Sequence, residues 1–65
     1  MKLEDVLDKI RRADKITVFL GNQMLYTGDA NQGRFCLAKM MGCKVKNFHP
    51  ELLDGLYIYL EGGQV

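Results

Sequence analysis

The stretch "ITVFLGNQMLYTGDA", residues Ile16–Ala30, has the pattern of a β-hairpin. It opens with the β-branched and aromatic run Ile16–Leu20, and a second apolar run, Met24–Thr27, follows after Gly21–Gln23. Side chains of these types favour strands. Glycine and asparagine supply the positive φ angles that a tight hairpin needs. The stretch therefore predicts two antiparallel strands joined by a short turn. If Ile16, Val18 and Leu20 face the core, Phe19 points to the opposite side.

The downstream end of this stretch leads into "GDANQGRF", residues Gly28–Phe35, which has the glycine spacing of a phosphate-binding loop. Such a loop continues with lysine and then serine or threonine, which hold the phosphates and magnesium. Here Arg34 and Phe35 occupy those positions, and 65 residues cannot build the several βαβ units that carry such loops. The pattern instead favours Asp29 as the cap of a helix in which Gly33 is tolerated.

This second helix is predicted over residues 30–41, with Gly42 ending it. Asp29 and Gln32 have the spacing of a capping box. One broad face of this helix is apolar, and the large apolar side chain of Phe35 lies outside that face. Apolar side chains therefore surround almost the whole helix. A helix of this kind is either sandwiched inside a fold or in contact with another chain.

Upstream of the hairpin, the residues before Asp14 predict an amphipathic helix. Acidic residues precede basic ones, which suits the helix dipole. Asp5 and Lys9, and likewise Asp8 and Arg12, have the i,i+4 spacing of helical ion pairs. The apolar positions recur at helical spacing and are Leu3, Val6, Leu7, Ile10 and Ala13.

Downstream, Lys44–Phe48 and Leu56–Leu60 predict a second hairpin, the latter with strict alternation of aliphatic and tyrosine side chains. The elements then follow the order α-β-β-α-β-β. We expect a single domain, residues 1–65, of α+β class, with two helices on a mostly antiparallel four-stranded sheet.

Composition excludes several classes of function. Nine basic and eight acidic residues leave a net charge of +1, which gives no general attraction to nucleic acid or anionic membranes. The apolar runs are too short for a membrane helix. Acidic residues interrupt the start of the chain, unlike a signal peptide. We therefore expect a cytoplasmic protein that does not act at a membrane.

The sequence carries no pattern typical of catalysis or metal binding. Cys36, Cys43 and His49 are spaced C-x6-C-x5-H, without the close ligand pairs of structural zinc sites. The chain has no serine, a single histidine and scattered carboxylates. We expect a protein that is not an enzyme and uses no cofactor, with both cysteines reduced.

One set of residues has the character of a binding face. If Val45 faces the core together with the aliphatic residues of the last strand, the intervening side chains share the opposite face. Lysines and aromatic rings on a sheet bind single-stranded nucleic acid in some proteins and contact other proteins elsewhere. Near-zero net charge favours the protein partner. The set is Lys44, Lys46, Phe48, Tyr57 and Tyr59.

The second helix gives a further expectation. Phe35 and Met40 are its most prominent large apolar side chains, and such residues are enriched in interface cores. We predict that these two residues support self-association as a homodimer.

Three segments resemble small uncharacterised accessory proteins of phages and prophages: "MKLEDVLDKI" (1–10), the "ITVFLGNQMLYTGDA" hairpin (16–30) and "KVKNFHPELLDGLYIYLEG" (44–62). These proteins have an opening helix, an "LY-x-G" strand and a closing "L-x-I-Y-L" strand, and no activity is established for them. The resemblance implies a module that binds a host or phage protein, such as an inhibitor of a host defence nuclease. The alternatives are a single-stranded nucleic-acid binder and a structural phage component.

Overall fold

In the computed structural model, which describes residues 1–53 and 55–62, two hairpins and two short helices form an α+β fold. The predicted class, with four strands and two helices, is confirmed, and a 3₁₀ turn after the second helix is added to it. The elements are α1 (Leu3–Leu7), β1 (Lys15–Leu20), β2 (Gln23–Asp29), α2 (Ala30–Cys36), the 3₁₀ turn (Ala38–Met40), β3 (Val45–Glu51) and β4 (Gly55–Leu60).

The sheet has the strand order β2-β1-β4-β3, and it is mixed. Both hairpins are antiparallel, as expected, but the central pair β1 and β4 is parallel. The physical reason is burial, because β1 and β4 contain the buried strand residues while β2 and β3 are largely exposed. Placing these two strands side by side brings their apolar residues together under the helices.

The core lies on one side of this sheet. In the parallel pair, Ile16 and Val18 are in register with Leu56 and Ile58, so these side chains point to the same side. The helices cover that side, and each fully buried aliphatic side chain contributes about 1.5–3 kcal/mol of burial free energy. The buried apolar residues are Leu3, Val6, Leu7, Ile16, Val18, Ala30, Leu37, Ile58 and Leu60.

The first helix is shorter than predicted, since α1 ends at Leu7 and not near Ala13. Tertiary hydrogen bonds hold the following loop instead. The backbone oxygen of Asp14 accepts from the Ala30 amide at 2.8 Å. The expected pairing of Asp8 with a basic residue of its own helix is also wrong, because Asp8 pairs with Arg34 of α2 at 3.1 Å.

The second helix is interrupted. Its predicted cap is confirmed, since the Asp29 carboxylate accepts from the Gln32 amide at 2.7 Å. Leu37 leaves helical geometry at φ −107° and ψ 20°, and its side chain is buried. The chain then continues as a 3₁₀ turn over Ala38–Met40, so the helix predicted over residues 30–41 ends at Cys36.

Gly33 is required by packing, which corrects the expectation that it is merely tolerated. A Cβ atom at this position would lie 2.9 Å from a ring carbon of Tyr26 and 3.0 Å from Cδ1 of Ile16. The absent side chain lets α2 approach the first hairpin. None of the helices in the described part of the chain has the length and hydrophobicity needed to cross a membrane.

Candidate functional site

The side of the sheet opposite the helices carries a group of rings from three strands. Strand alternation points Phe19 of β1 and Tyr57 and Tyr59 of β4 away from the core. His49 of β3 is paired with Tyr57 and therefore points to the same side. We call these four residues, Phe19, His49, Tyr57 and Tyr59, the aromatic face.

The rings of the aromatic face contact one another across the strands. Tyr59 stacks on Phe19 with centroids 5.0 Å apart and planes 12° apart, and on His49 at 5.6 Å and 26°. Tyr57 is tilted against Phe19 at 5.4 Å and against His49 at 5.9 Å. Offset-stacked and tilted pairs at these separations are the favourable aromatic geometries.

The stacking leaves little open ring face at Tyr59. Phe19 and Tyr59 are nearly parallel with centroids 5.0 Å apart, which is an offset stack in which each ring covers part of the other. His49 lies against Tyr59 from the neighbouring strand β3 at 5.6 Å. The neighbouring rings therefore cover part of both faces of the Tyr59 ring.

The aromatic face is partly exposed. Phe19, Tyr57 and Tyr59 are half-buried, and the His49 side chain is 48 % exposed. Within residues 1–53 and 55–62, both helices contribute their buried residues to the core on the opposite side, so none of them covers these rings. Met24, paired with Phe19 and 54 % exposed, extends the apolar surface towards the edge strand β2.

A polar pair borders the rings at the base of β1. Thr17 is buried, and its hydroxyl lies 2.9 Å from the hydroxyl of Thr27 on β2. This hydrogen bond satisfies a polar group that would otherwise be costly to bury. It fixes the register of the first hairpin beneath the aromatic face.

An open cavity of about 330 Å³ lies at the β3 end of the aromatic face, lined by Lys46, Asn47, His49 and Tyr59. A register shift between Val45 and Asn47 produces it. Such a bulge places one extra residue in the strand and redirects the neighbouring side chains. Here it brings a lysine and an asparagine next to the ring group.

His49 is held in this position by Glu51. Its Nε2 atom lies 2.7 Å from Oε2 of Glu51, two residues further along the same strand face. Both side chains remain partly exposed, at 48 % and 42 %. The contact orients the imidazole ring against the tyrosines.

The structure brings three of the five sequence-predicted face residues together. Tyr57 and Tyr59 lie on the aromatic face, and Lys46 lines its cavity. Lys44 precedes β3 and bridges to Lys2, so it stands apart from the rings.

The placement of Phe48 on the tyrosine face is wrong. Phe48 is paired with Ile58, a core residue, and so points to the helix side, where it is 44 % exposed. The bulge at Lys46 is the cause, since one additional residue reverses the alternation along β3.

The two residues predicted to support self-association differ in exposure. Phe35 is 73 % exposed on α2, whereas Met40 packs against the core. Self-association through this pair stays a prediction, and Phe35 is the member that is available to a partner.

Sequence reasoning missed His49 as a member of the site. The predicted strand ended at Phe48, but β3 continues through Pro50 to Glu51. The spacing of His49 and Glu51 could have indicated it, because residues two apart in a strand point to the same side. An imidazole and a carboxylate on one side can form a hydrogen bond. Phe19 was placed on the correct side from its alternation but was not nominated.

Metal ligands do not cluster in the described residues, where no three histidine, cysteine or acidic side chains are placed to hold an ion. Cys36 and Cys43 are free thiols, exposed and half-buried respectively. No protein-family model, curated protein or solved structure matches the chain. The resemblance to phage accessory proteins stays a prediction.

Proposed function

We propose that the protein is a non-enzymatic module that binds another protein through the aromatic face. The observation that carries this proposal is the half-buried group of stacked rings on the side of the sheet opposite the described helices. Tyrosine is enriched at protein interfaces because it combines a large apolar ring with a hydroxyl that can hydrogen-bond.

The arrangement also suits a partner because it is already ordered. Each ring is held between neighbours, as Tyr59 is between Phe19 and His49. A side chain that is fixed before binding loses little conformational entropy when the complex forms. The stacked rings therefore form a contact surface that is ordered before a partner binds.

The ring orientation argues against the nucleic-acid alternative. Bases bind to sheet surfaces by stacking on the open faces of aromatic rings. The faces of Tyr59 are partly covered by its neighbours, and the net charge of the chain is only +1. A protein partner can pack against the half-buried rings without entering the stack.

The phage resemblance suggests which partner class to try first, namely a bacterial host protein or another phage protein. A defence nuclease is one example of such a partner. Homodimer formation through Phe35 is a separate proposal that uses the other side of the molecule.

Capture from bacterial lysate with matched variants tests the proposal. Tyr59→Lys places a charge in the aromatic face, while Phe35→Lys makes the same change on α2. We expect wild type and Phe35→Lys to capture at least one protein in equal amount. Tyr59→Lys should capture about tenfold less of that protein, which is the size of effect typical of a central interface residue. Equal capture by all three chains would contradict the proposal.

A direct binding assay separates the nucleic-acid alternative. Contacts to phosphate backbones weaken steeply as salt is added. If fluorescent single-stranded DNA binds wild type at micromolar or lower concentration in a salt-dependent manner, the nucleic-acid alternative replaces the protein proposal.

A further inference from the structure

We infer that the cavity beside the aromatic face is a carboxylate-binding site, which receives an acidic side chain of the protein partner. This inference rests on the proposed function. The cavity is lined by Lys46, Asn47, His49 and Tyr59. Their side chains supply an ammonium group, an amide N–H₂, an imidazole and a phenol, which are hydrogen-bond donors.

The donors of the cavity are available. Within residues 1–53 and 55–62, no hydrogen bond or ion pair holds the Lys46 ammonium, the Asn47 amide or the Tyr59 hydroxyl. By contrast, His49 is engaged through its Nε2 atom with Glu51. The cavity therefore brings together one unpaired lysine ammonium and two uncharged donor groups, the Asn47 side-chain amide and the Tyr59 hydroxyl.

The bulge explains why these groups lie together. In a regular strand, Lys46 and Asn47 would point to opposite sides of the sheet. The register shift between Val45 and Asn47 lets both residues line the same cavity. A β-bulge leaves one residue of its strand without a paired residue on the neighbouring strand. Bulges at sheet edges often redirect side chains in this way.

The charges of the cavity favour a singly charged acceptor over a doubly charged one. Among the described lining residues, Lys46 is the one lysine or arginine, and Oε2 of Glu51 lies 2.7 Å from Nε2 of His49. A phosphate dianion would have two negative charges against one lysine and would approach this carboxylate. A carboxylate matches the single ammonium and can accept from two donors at once.

The position of the cavity suits a contact at the border of a protein interface. Charged pairs at the rim of an interface control orientation and specificity, while the apolar centre supplies most of the affinity. The aromatic face is that centre in the proposed complex, and Lys46 stands at its edge. The partner surface that fits carries an aspartate or glutamate next to an apolar patch.

Acetate is the probe for this site, since it carries the carboxylate alone. In an NMR titration at constant ionic strength, with chloride as the matched salt, we expect saturable shifts at the Lys46 and Asn47 amides and at the Asn47 side-chain amide. Lys46→Gln should weaken the apparent affinity about tenfold, as expected for loss of a charged hydrogen-bond partner. Lys44→Gln, the neighbouring lysine outside the cavity, should leave it unchanged.

Three results would overturn the inference. They are shifts that follow acetate equally at all lysines, shifts that persist in Lys46→Gln, and tighter binding of inorganic phosphate than of acetate at the same amides. The titration needs no partner protein. Failure of this site therefore leaves the capture experiment with Tyr59→Lys as an independent test of the proposed function.

Discussion

Phe19 and Tyr59, from the first and last strands of the sheet, stack with ring planes 12° apart and centroids 5.0 Å apart. The parallel pairing of β1 and β4 creates this contact, since it aligns the two residues on the side away from the helices. The same contact stabilises the centre of the sheet and shapes the proposed interface.

The stacked pair should be energetically coupled. We expect the double variant Phe19→Ala/Tyr59→Ala to lose less stability than the sum of the two single variants, with a coupling energy of about 0.5–1.5 kcal/mol. Urea unfolding of the four proteins measures it. Strict additivity of the losses would show that the ring contact contributes nothing beyond burial of each side chain.

Gly33→Ala should destabilise the protein by about 1–3 kcal/mol, because a methyl group would press on Tyr26 and Ile16. Gly42→Ala is the control, since a Cβ atom there meets no other atom within 4 Å and the backbone has no positive φ. Thermal or urea unfolding should separate the two variants. Equal stability of both variants would mean that α2 does not approach the hairpin this closely.

Stability should fall at alkaline pH through Tyr26. Burial, and then the charges of Asp29 and Cys36, raise the pKa of the Tyr26 phenol above 10.0, and the hydroxyl donates to the backbone oxygen of Asp29 at 2.7 Å. A pKa that is higher in the folded state means that folding favours the protonated phenol. This contribution is complete below the pKa of the unfolded chain and is lost as pH rises through the folded-state pKa.

The comparison with Tyr26→Phe isolates this effect from the other titrating groups. The difference in unfolding free energy between wild type and Tyr26→Phe should be constant near neutral pH and should shrink above about pH 10. A difference that does not change with pH would contradict the assigned pKa shift.

The sequence predicted the parts of the fold that depend on neighbouring residues. The turn after Leu20, the Asp29 cap and the alternation of Tyr57 and Tyr59 all follow from local patterns, and each is present. The side of Phe19 was predicted for the same reason, because a period of two needs only the strand itself.

Other features depended on contacts between distant residues. The parallel pairing of β1 with β4 joins strands from the two ends of the chain, and no local pattern indicates it. The bulge that moves Phe48 to the helix side adjoins a contact with the N-terminal segment, where the Val45 amide donates to the Met1 oxygen at 2.7 Å. Such contacts override strand alternation without leaving a signature in the strand.

The residues of the candidate site also fall into those that local patterns predict and those that depend on distant contacts. Its tyrosines were predicted from alternation, whereas His49 and the position of Lys46 became apparent only from the register of β3. A shift of one residue exchanges the two faces of a strand, so a binding face read from sequence is only as accurate as the register.

Site-specific photo-crosslinking locates the binding surface on the protein. The photoreactive residue p-benzoylphenylalanine replaces Tyr57 in one protein and Phe35 in another, and each is irradiated in bacterial lysate. We expect a discrete cross-linked protein from position 57, absent from position 35 and lost when Tyr59→Lys is added to the same chain. A product that forms from position 35 but not from position 57, or one that survives Tyr59→Lys, would contradict the assignment of the aromatic face as the binding surface.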